Sequence, residues 1–273
     1  MRIALKIGGS VLEPAPAPEL MGAVARTRNA GHEVLLIHGG GKALNALLRD
    51  LGIGSEFKQG LRVTGPETLR AALMAFAGEV NTGLVAALNR AGVRAVGLTG
   101  CDAEGVVAQR ERPELGAVGT QASADPRLAL TLLAAGFTPV YAPLASDGAG
   151  GVLNVNADQF AAAVAAAAGA ERLYFVTDVP GVLDPQGATM PQVTLAELES
   201  MAAGGAIHGG MLPKADACRA ALQGGVARVE IIGAAAAVKL DALCAQPGAA
   251  ASTGTRVRDD VHDGAPETAG SSL

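Results

Sequence analysis

The sequence predicts an α/β protein, a three-layer αβα sandwich with a mostly parallel, open central sheet and helices on both faces. Three observations predict it. Continuous apolar runs, such as residues 33–37 and 172–177, read as strands buried on both faces, the pattern of parallel sheets. Segments with apolar residues at three- and four-residue steps alternate with those runs along the chain, which calls for crossover helices. No repeat with a period of about 20–50 residues is present, which excludes a solenoid. The 273 residues suit one large domain or two fused lobes on one continuous sheet: one lobe over residues 1–170, a second over 171–258. Residues 259–273 are polar and rich in Gly, Pro and Ser, and read as a disordered tail.

Residues 3–7 form the first strand by composition, ending in Gly8, Gly9 and Ser10. After a Pro/Ala stretch at 14–18, residues 19–30 read as a helix with Gly31 as its C-terminal stop. The strand at 33–37 runs into His38 and Gly39–Gly41, and a helix follows over 42–51. Residues 66–91 predict a long helix with Leu69, Leu73, Phe76, Val80, Leu84 and Leu88 on one stripe. That is chiefly core, and a helix of this length can also meet a second subunit. The third strand covers 94–98. Residues 105–108 and 116–118 read as an antiparallel excursion with Pro113 in its turn. A helix over 125–135 carries Pro126 at its first position, and the fourth strand covers 138–142. An alanine-rich helix follows Asp158, then a strand at 172–177, a helix at 195–203, a helix at 214–223 and a strand at 228–233. Residues 253–257 are expected to close the sheet edge.

The composition narrows the function classes. The formal net charge is −5, which gives no electrostatic case for nucleic acid or an anionic membrane. No segment is expected to approach the ~20 apolar residues needed to cross a bilayer. The first residues hold too short an apolar stretch for a signal peptide. Cys101, Cys218 and Cys244 are scattered and form no CxxC pair, so a reducing cytoplasm is the expected compartment.

Four features sit where strands end, the crevice in which α/β proteins bind ligands. Lys6 precedes Gly8 and Gly9, whose free backbone N–H groups suit an anion; Lys6 reads either as a solvated strand end or as a phosphate-facing lysine. Gly39–Gly41 open a helix, allowing close approach of a ligand to its N-terminus. They are not a Walker A loop, and Gly8–Gly9 is not a dinucleotide fingerprint. His38 reads as an orienting or packing residue, since no second ligand stands at metal spacing. Arg62 is a surface strand residue or a fork for a carboxylate. Asn154, Asn156 and Asp158 lie between a strand and a helix; Asp158 either favours the helix dipole or takes part in a site. Lys214 follows a glycine-rich loop. Two lysines, free amides and one carboxylate suit phosphoryl transfer, where catalysis is positioning and electrostatic stabilisation. No Ser/His/Asp, HExxH or EF-hand pattern competes.

At these residues the sequence resembles the amino-acid kinase family, and within it the branch that phosphorylates N-acetylglutamate. The resemblance rests on KIGGSVL at 6–12, HGGG at 38–41, GLRVT at 60–64, GLTGCD at 97–102, NVNAD at 154–158, TDVPGVLD at 177–184 and GGMLPK at 209–214, in order along nearly the whole chain to about residue 257. It implies transfer of the ATP γ-phosphoryl group to the side-chain carboxylate of N-acetyl-L-glutamate, the second step of arginine biosynthesis. Lys6 and Lys214 match the lysines that stabilise the transferring group, and Asp158 the carboxylate that orients them. Gly8 and Gly9 match the phosphate loop. Gly40, Gly41, Arg62 and Asn154 match the acyl-amino-acid site, with Arg62 on the α-carboxylate. Asp178, Val179, Gly181, Val182 and Leu183, with Ala206, Ile207 and His208, match the adenine-nucleotide side. Mg2+ is expected with ATP, held mainly by phosphate oxygens, with no protein metal site. The first lobe is expected to hold the amino acid and the dimer contact, the second the nucleotide.

Two departures bear on this resemblance. Cys101 stands where many relatives carry a lysine, which touches a local contact. The chain begins at its first strand and has Gly233-Ala-Ala-Ala-Ala-Val238 where arginine-inhibited relatives carry a His and a Glu, so a homodimer insensitive to arginine is expected. Three other readings are weighed. A kinase for carrier-linked aminoadipate or glutamate calls for a basic cluster near Arg62, which is missing. A non-catalytic sensor would be expected to lose Lys6, Lys214 or Asp158, and all are present. A dinucleotide oxidoreductase lacks its glycine fingerprint.

Overall fold

The computed structural model describes residues 1–58, 60–207, 209–245 and 253–259. Eight strands form one sheet, in the order Gln192–Thr194, Gly254–Arg258, Arg228–Gly233, Arg172–Thr177, Arg2–Ile7, Glu33–His38, Thr138–Ala142 and Ala95–Thr99. All neighbouring pairs are parallel except Arg228–Gly233 with Gly254–Arg258. The expectation of a parallel sheet shared across the chain therefore holds. The expectation that residues 253–257 close the edge does not. That strand is inserted second from the edge, and Gln192–Thr194 lies outside it. Three residues are too few to show a period-two pattern, so this edge strand is silent in the sequence.

Each face of the sheet has its own apolar cluster, which makes the three layers. Ile37, Phe175 and Ile231 pack on one face under the helices Ala157–Ala167 and Met211–Gln223. Ile3, Leu5, Ile7 and Val140 pack on the other under the helices Pro18–Asn29 and Asn81–Arg90. Alanine permits the close layering: a Cβ on Gly224, just after Met211–Gln223, would fall 2.6 Å from Ala166 Cβ. The antiparallel excursion is larger than the sequence suggests. Val106–Gln109, Val118–Ala124, Leu144–Ser146 and Val152–Val155 close into a small four-stranded barrel beside the sheet. Asn154 thus lies in a strand, not in a loop.

The long helix runs from Pro66 to Arg90. It corrects two expectations. By length and composition it is apolar enough to cross a membrane, because its interruptions by Glu79, Asn81 and Thr82 break a continuous run without lowering the average far. Its middle, Leu73–Val80, is π-helical. The wider winding rotates the stripe, so Phe76, Leu84 and Leu88 are buried while Leu73 is 37% exposed. Pro126 stands at the N-cap of Arg127–Ala134, one position before the predicted one. The predicted tail lies, beyond Asp259, outside the described residues.

Candidate active site

Strand register places the first lysine. Lys6 pairs with Ile37 on one side and Phe175 on the other, so its side chain shares their face of the sheet, at the strand's carboxyl end. The helix Ala157–Ala167 covers that face and points its N-terminus at the same end. Asn156 caps it, its Oδ1 accepting from the backbone N–H groups of Asp158 (2.9 Å) and Gln159 (3.3 Å). Asp158 in the first turn then meets Lys6, with Nζ 2.8 Å from Oδ1. Lys214, buried in the first turn of Met211–Gln223, reaches the same oxygen at 3.0 Å. Its ammonium also lies 5.1 Å from the centroid of the Phe175 ring. The three charged groups are each less than 10% exposed.

Burial and pairing compete in this cluster. Desolvation pushes the Asp158 carboxyl pKa up, but Lys6 and Lys214 outweigh it and hold the group below the usual carboxylate range. Lys6 goes the other way from an exposed lysine: desolvation, with repulsion from Lys214, lowers its pKa although Asp158 opposes this. The two ammonium groups and the one carboxylate lie beside open space.

That space is two cavities that share Lys6 and Gly9. The larger, about 580 Å³, lies toward the later part of the chain. It is lined by Gly8, Gly9, Asp158, Asp178, Val179, Gly181, Val182, Leu183, Ala206, Ile207 and Lys214, which brings together every described residue expected on the nucleotide side. His208 lies outside the described residues. The smaller, about 250 Å³, is lined by Gly40, Gly41, Arg62 and Asn154, the four expected around the amino acid. Among the described residues, no three His, Cys, Asp or Glu side chains converge as a metal site.

The glycines at the junction are there because backbones touch. A Cβ on Gly39 would lie 2.9 Å from Gly9 N, and one on Gly9 would lie 3.0 Å from Gly40 N. The wall around Arg62 is a hydrogen-bonded relay. Its guanidinium donates to Asn45 Oδ1 at 2.5 Å and to Ser55 Oγ, and stacks 4.5 Å over the Phe57 ring. Asn154 Nδ2 donates to Thr64 Oγ1 (3.2 Å), which in turn donates to Arg62 O (2.9 Å). The arginine is therefore buried and oriented, not a surface residue.

Sequence reasoning missed several members of the site. Asn45, Ser55 and Phe57 support Arg62, and nothing in their local patterns distinguishes them. Phe76 lines the smaller cavity, delivered by the π-helical stretch. Ser10 and Thr177 line the larger cavity. Their hydroxyls bond the Asp178 carboxylate and help hold its pKa down against desolvation. Cys101 is half-buried in the turn after Ala95–Thr99 and lines neither cavity.

Residues 1–233 match the sequence profile of the Amino acid kinase family. The chain is 46% identical to an acetylglutamate kinase of Solibacter usitatus over 246 residues, covering 90% of this chain and 96% of that protein. It is 41% identical to an acetylglutamate kinase of Geobacillus kaustophilus over 231 residues, covering 84% and 89%. Among solved structures it is similar to smu.665 from Streptococcus mutans (TM-score 0.82, 28% identity, 94% of this chain and 98% of that one). It is also similar to N-acetylglutamate synthase from Neisseria gonorrhoeae complexed with coenzyme A and N-acetyl-glutamate (TM-score 0.77, 27% identity, 94% of this chain and 59% of that one). With residues 1–233 matching that profile and relatives at 41–46% identity along most of both chains, the chain belongs to the amino acid kinase family.

Proposed function

We propose that the protein transfers the γ-phosphoryl group of ATP to the side-chain carboxylate of N-acetyl-L-glutamate, giving N-acetylglutamyl 5-phosphate, the second step of arginine biosynthesis. The observation that carries this is the Lys6–Asp158–Lys214 cluster at the junction of two cavities, one of nucleotide size and one of amino-acid size. The relatives at 41–46% identity that are named acetylglutamate kinases support the choice of acceptor.

In this reading ATP lies along Gly8–Gly9 and Asp178–Leu183, and the acceptor lies on Gly40, Gly41 and Asn154 with its α-carboxylate on Arg62. A carboxylate oxygen of the acceptor attacks the γ-phosphorus. The bond to the β–γ bridging oxygen breaks, and ADP leaves with that electron pair. The acceptor is already anionic at neutral pH, so no base is required. His38 is unsuited to that task, since burial pushes its pKa down to about 4. Lys6 and Lys214 stabilise charge on the transferring group, and Asp158 holds both in place. Mg2+ would come with ATP and would neutralise charge on its phosphates. Of the two carboxylates lining the nucleotide cavity, Asp158 is engaged by lysines, so Asp178, which accepts from the Ser10 and Thr177 hydroxyls, would be the one to help hold the ion.

The lobes divide accordingly, residues 1–170 for the amino acid and the phosphate loop at Gly8–Gly9, and 171–258 for the rest of the nucleotide. Leu73 and Met74, exposed at 37% and 44% on the long helix, fit a homodimer contact, which light scattering of the purified protein tests. ADP release that needs N-acetylglutamate, and is not supported by glutamate, aspartate or a carrier-linked aminoadipate, tests the activity. Release only with the carrier-linked substrate would overturn the choice of acceptor.

A further inference from the structure

His38 ends its strand with its side chain on the face away from Lys6, and is fully buried. One residue lies against each ring nitrogen. Asn81, on the long helix and 5% exposed, places Nδ2 3.1 Å from His38 Nε2 and 2.9 Å from Val140 O. Val140 O only accepts, so the amide nitrogen of Asn81 must face it, and that same NH2 group can only donate to the imidazole. Nε2 is therefore the acceptor, and the ring proton sits on Nδ1. Nδ1 lies 2.9 Å from Gly39 O and donates to it. Gly97 leaves room for this arrangement: a Cβ there would collide with Asn81 Oδ1.

The consequence falls on the next peptide. In a trans peptide the C=O and N–H point in opposite directions. With Gly39 O held by His38, the N–H of Gly40 is turned away from the core, toward Gly9 and the junction of the two cavities. Among the described residues this N–H has no protein acceptor.

We propose that His38 and Asn81 are a positioning pair, in which Asn81 fixes the Nδ1–H tautomer of His38 and His38 thereby aims the Gly40 N–H at the group being transferred. This rests on the phosphoryl-transfer reading of the site. Neither side chain touches substrate. The pair links the long helix, at the residue just after its π-helical segment, to the reacting centre through one imidazole. Burial keeps that imidazole neutral at pH 7, as the tautomer requires.

The test compares His38→Leu, His38→Asn and the parent. An asparagine amide at position 38 can donate where Nδ1 donated, and leucine cannot. Acyl phosphate formation is measured with ATP, Mg2+ and N-acetylglutamate, and folding by thermal melting. His38→Leu should lower kcat by about tenfold or more, the loss expected of a misdirected transition-state donor, with KM for ATP little changed. His38→Asn should recover most of it. Equal kcat in His38→Leu and parent, or no recovery in a folded His38→Asn, would overturn the proposal. Independently of activity, the imidazole 15N spectrum of the parent should show the Nδ1–H tautomer, and Asn81→Leu should shift it toward Nε2–H. A parent spectrum with Nε2–H overturns the pair even if neither position 38 variant folds. An inactive parent with the expected tautomer would instead count against the phosphoryl-transfer reading alone.

Discussion

Lys6 and Lys214 end on one atom: both ammonium groups meet Oδ1 of Asp158, at 2.8 and 3.0 Å. They come from different halves of the chain, the end of a central strand and the first turn of a late helix. Two cations held side by side repel, and the shared carboxylate is what keeps them together in a buried place. An incoming phosphoryl group meets a charge that is already oriented, with no reorganisation left to do.

Lys214→Ala should lower kcat by about 10²–10³-fold while KM for ATP changes little, because its charge acts chiefly in the transition state. Steady-state kinetics with both substrates varied reads this. A loss confined to KM would place Lys214 in ground-state binding instead.

Activity should fall on the alkaline side at a pH below the ordinary lysine pKa of about 10.4. Burial and Lys214 lower the Lys6 pKa, so Lys6 loses its proton, and its charge, early. Asp158 opposes that shift. In Asp158→Asn the alkaline limb of kcat should therefore move to still lower pH, alongside a large drop in the plateau. A limb that stays put or moves up would show that another group controls it.

Arg62→Ala should raise KM for N-acetylglutamate by about 10–100-fold, the scale of a charged hydrogen bond, with a smaller effect on kcat. Arg62→Lys should not rescue it, since an ammonium cannot reach Asn45, Ser55 and an α-carboxylate together. Asn45→Ala should give a milder rise in the same constant by freeing the guanidinium. Unchanged constants in all three would remove Arg62 from the amino-acid site.

Gly40→Ala tests the wall of the smaller cavity. A Cβ at Gly40 would lie 2.7 Å from Phe76 Cδ1, and the ring is part of a packed cluster. The substitution should cost about 1–3 kcal/mol of stability, as overpacking does, and raise KM for the amino acid. Phe76→Leu in the same chain should relieve part of both. Calorimetry and kinetics together decide it: an additive double variant would mean that the two residues do not press on each other.

The sheet and the reacting cluster were legible because each rests on local signals. Apolar runs followed by glycine give strands and their ends, where Lys6 stands, while Asp158 and Lys214 each stand in the first turn of a helix, Lys214 after a glycine-rich loop that joins two helices rather than after a strand. Their convergence came from the resemblance to a family, since nothing in the spacing of Lys6 and Lys214 joins them. The small barrel was only half visible, because Val118–Ala124 alternates Gly, Thr, Gln and Ser with little apolar contrast. The π-helical turn was invisible: Leu73–Val80 fits an ordinary helix by composition, and its apolar residues carry no sign of the wider winding. Asn45, Ser55 and Asn81 act through one or two hydrogen bonds to residues in other elements, which leave no periodic trace.

The most direct measurement is hydroxylamine trapping of the acyl phosphate, with ATP and Mg2+ and, in parallel, N-acetyl-L-glutamate, glutamate or aspartate as acceptor. The account predicts a hydroxamate from N-acetylglutamate alone, lost in Lys6→Ala. No hydroxamate with N-acetylglutamate, from folded protein that still binds ATP, would contradict it.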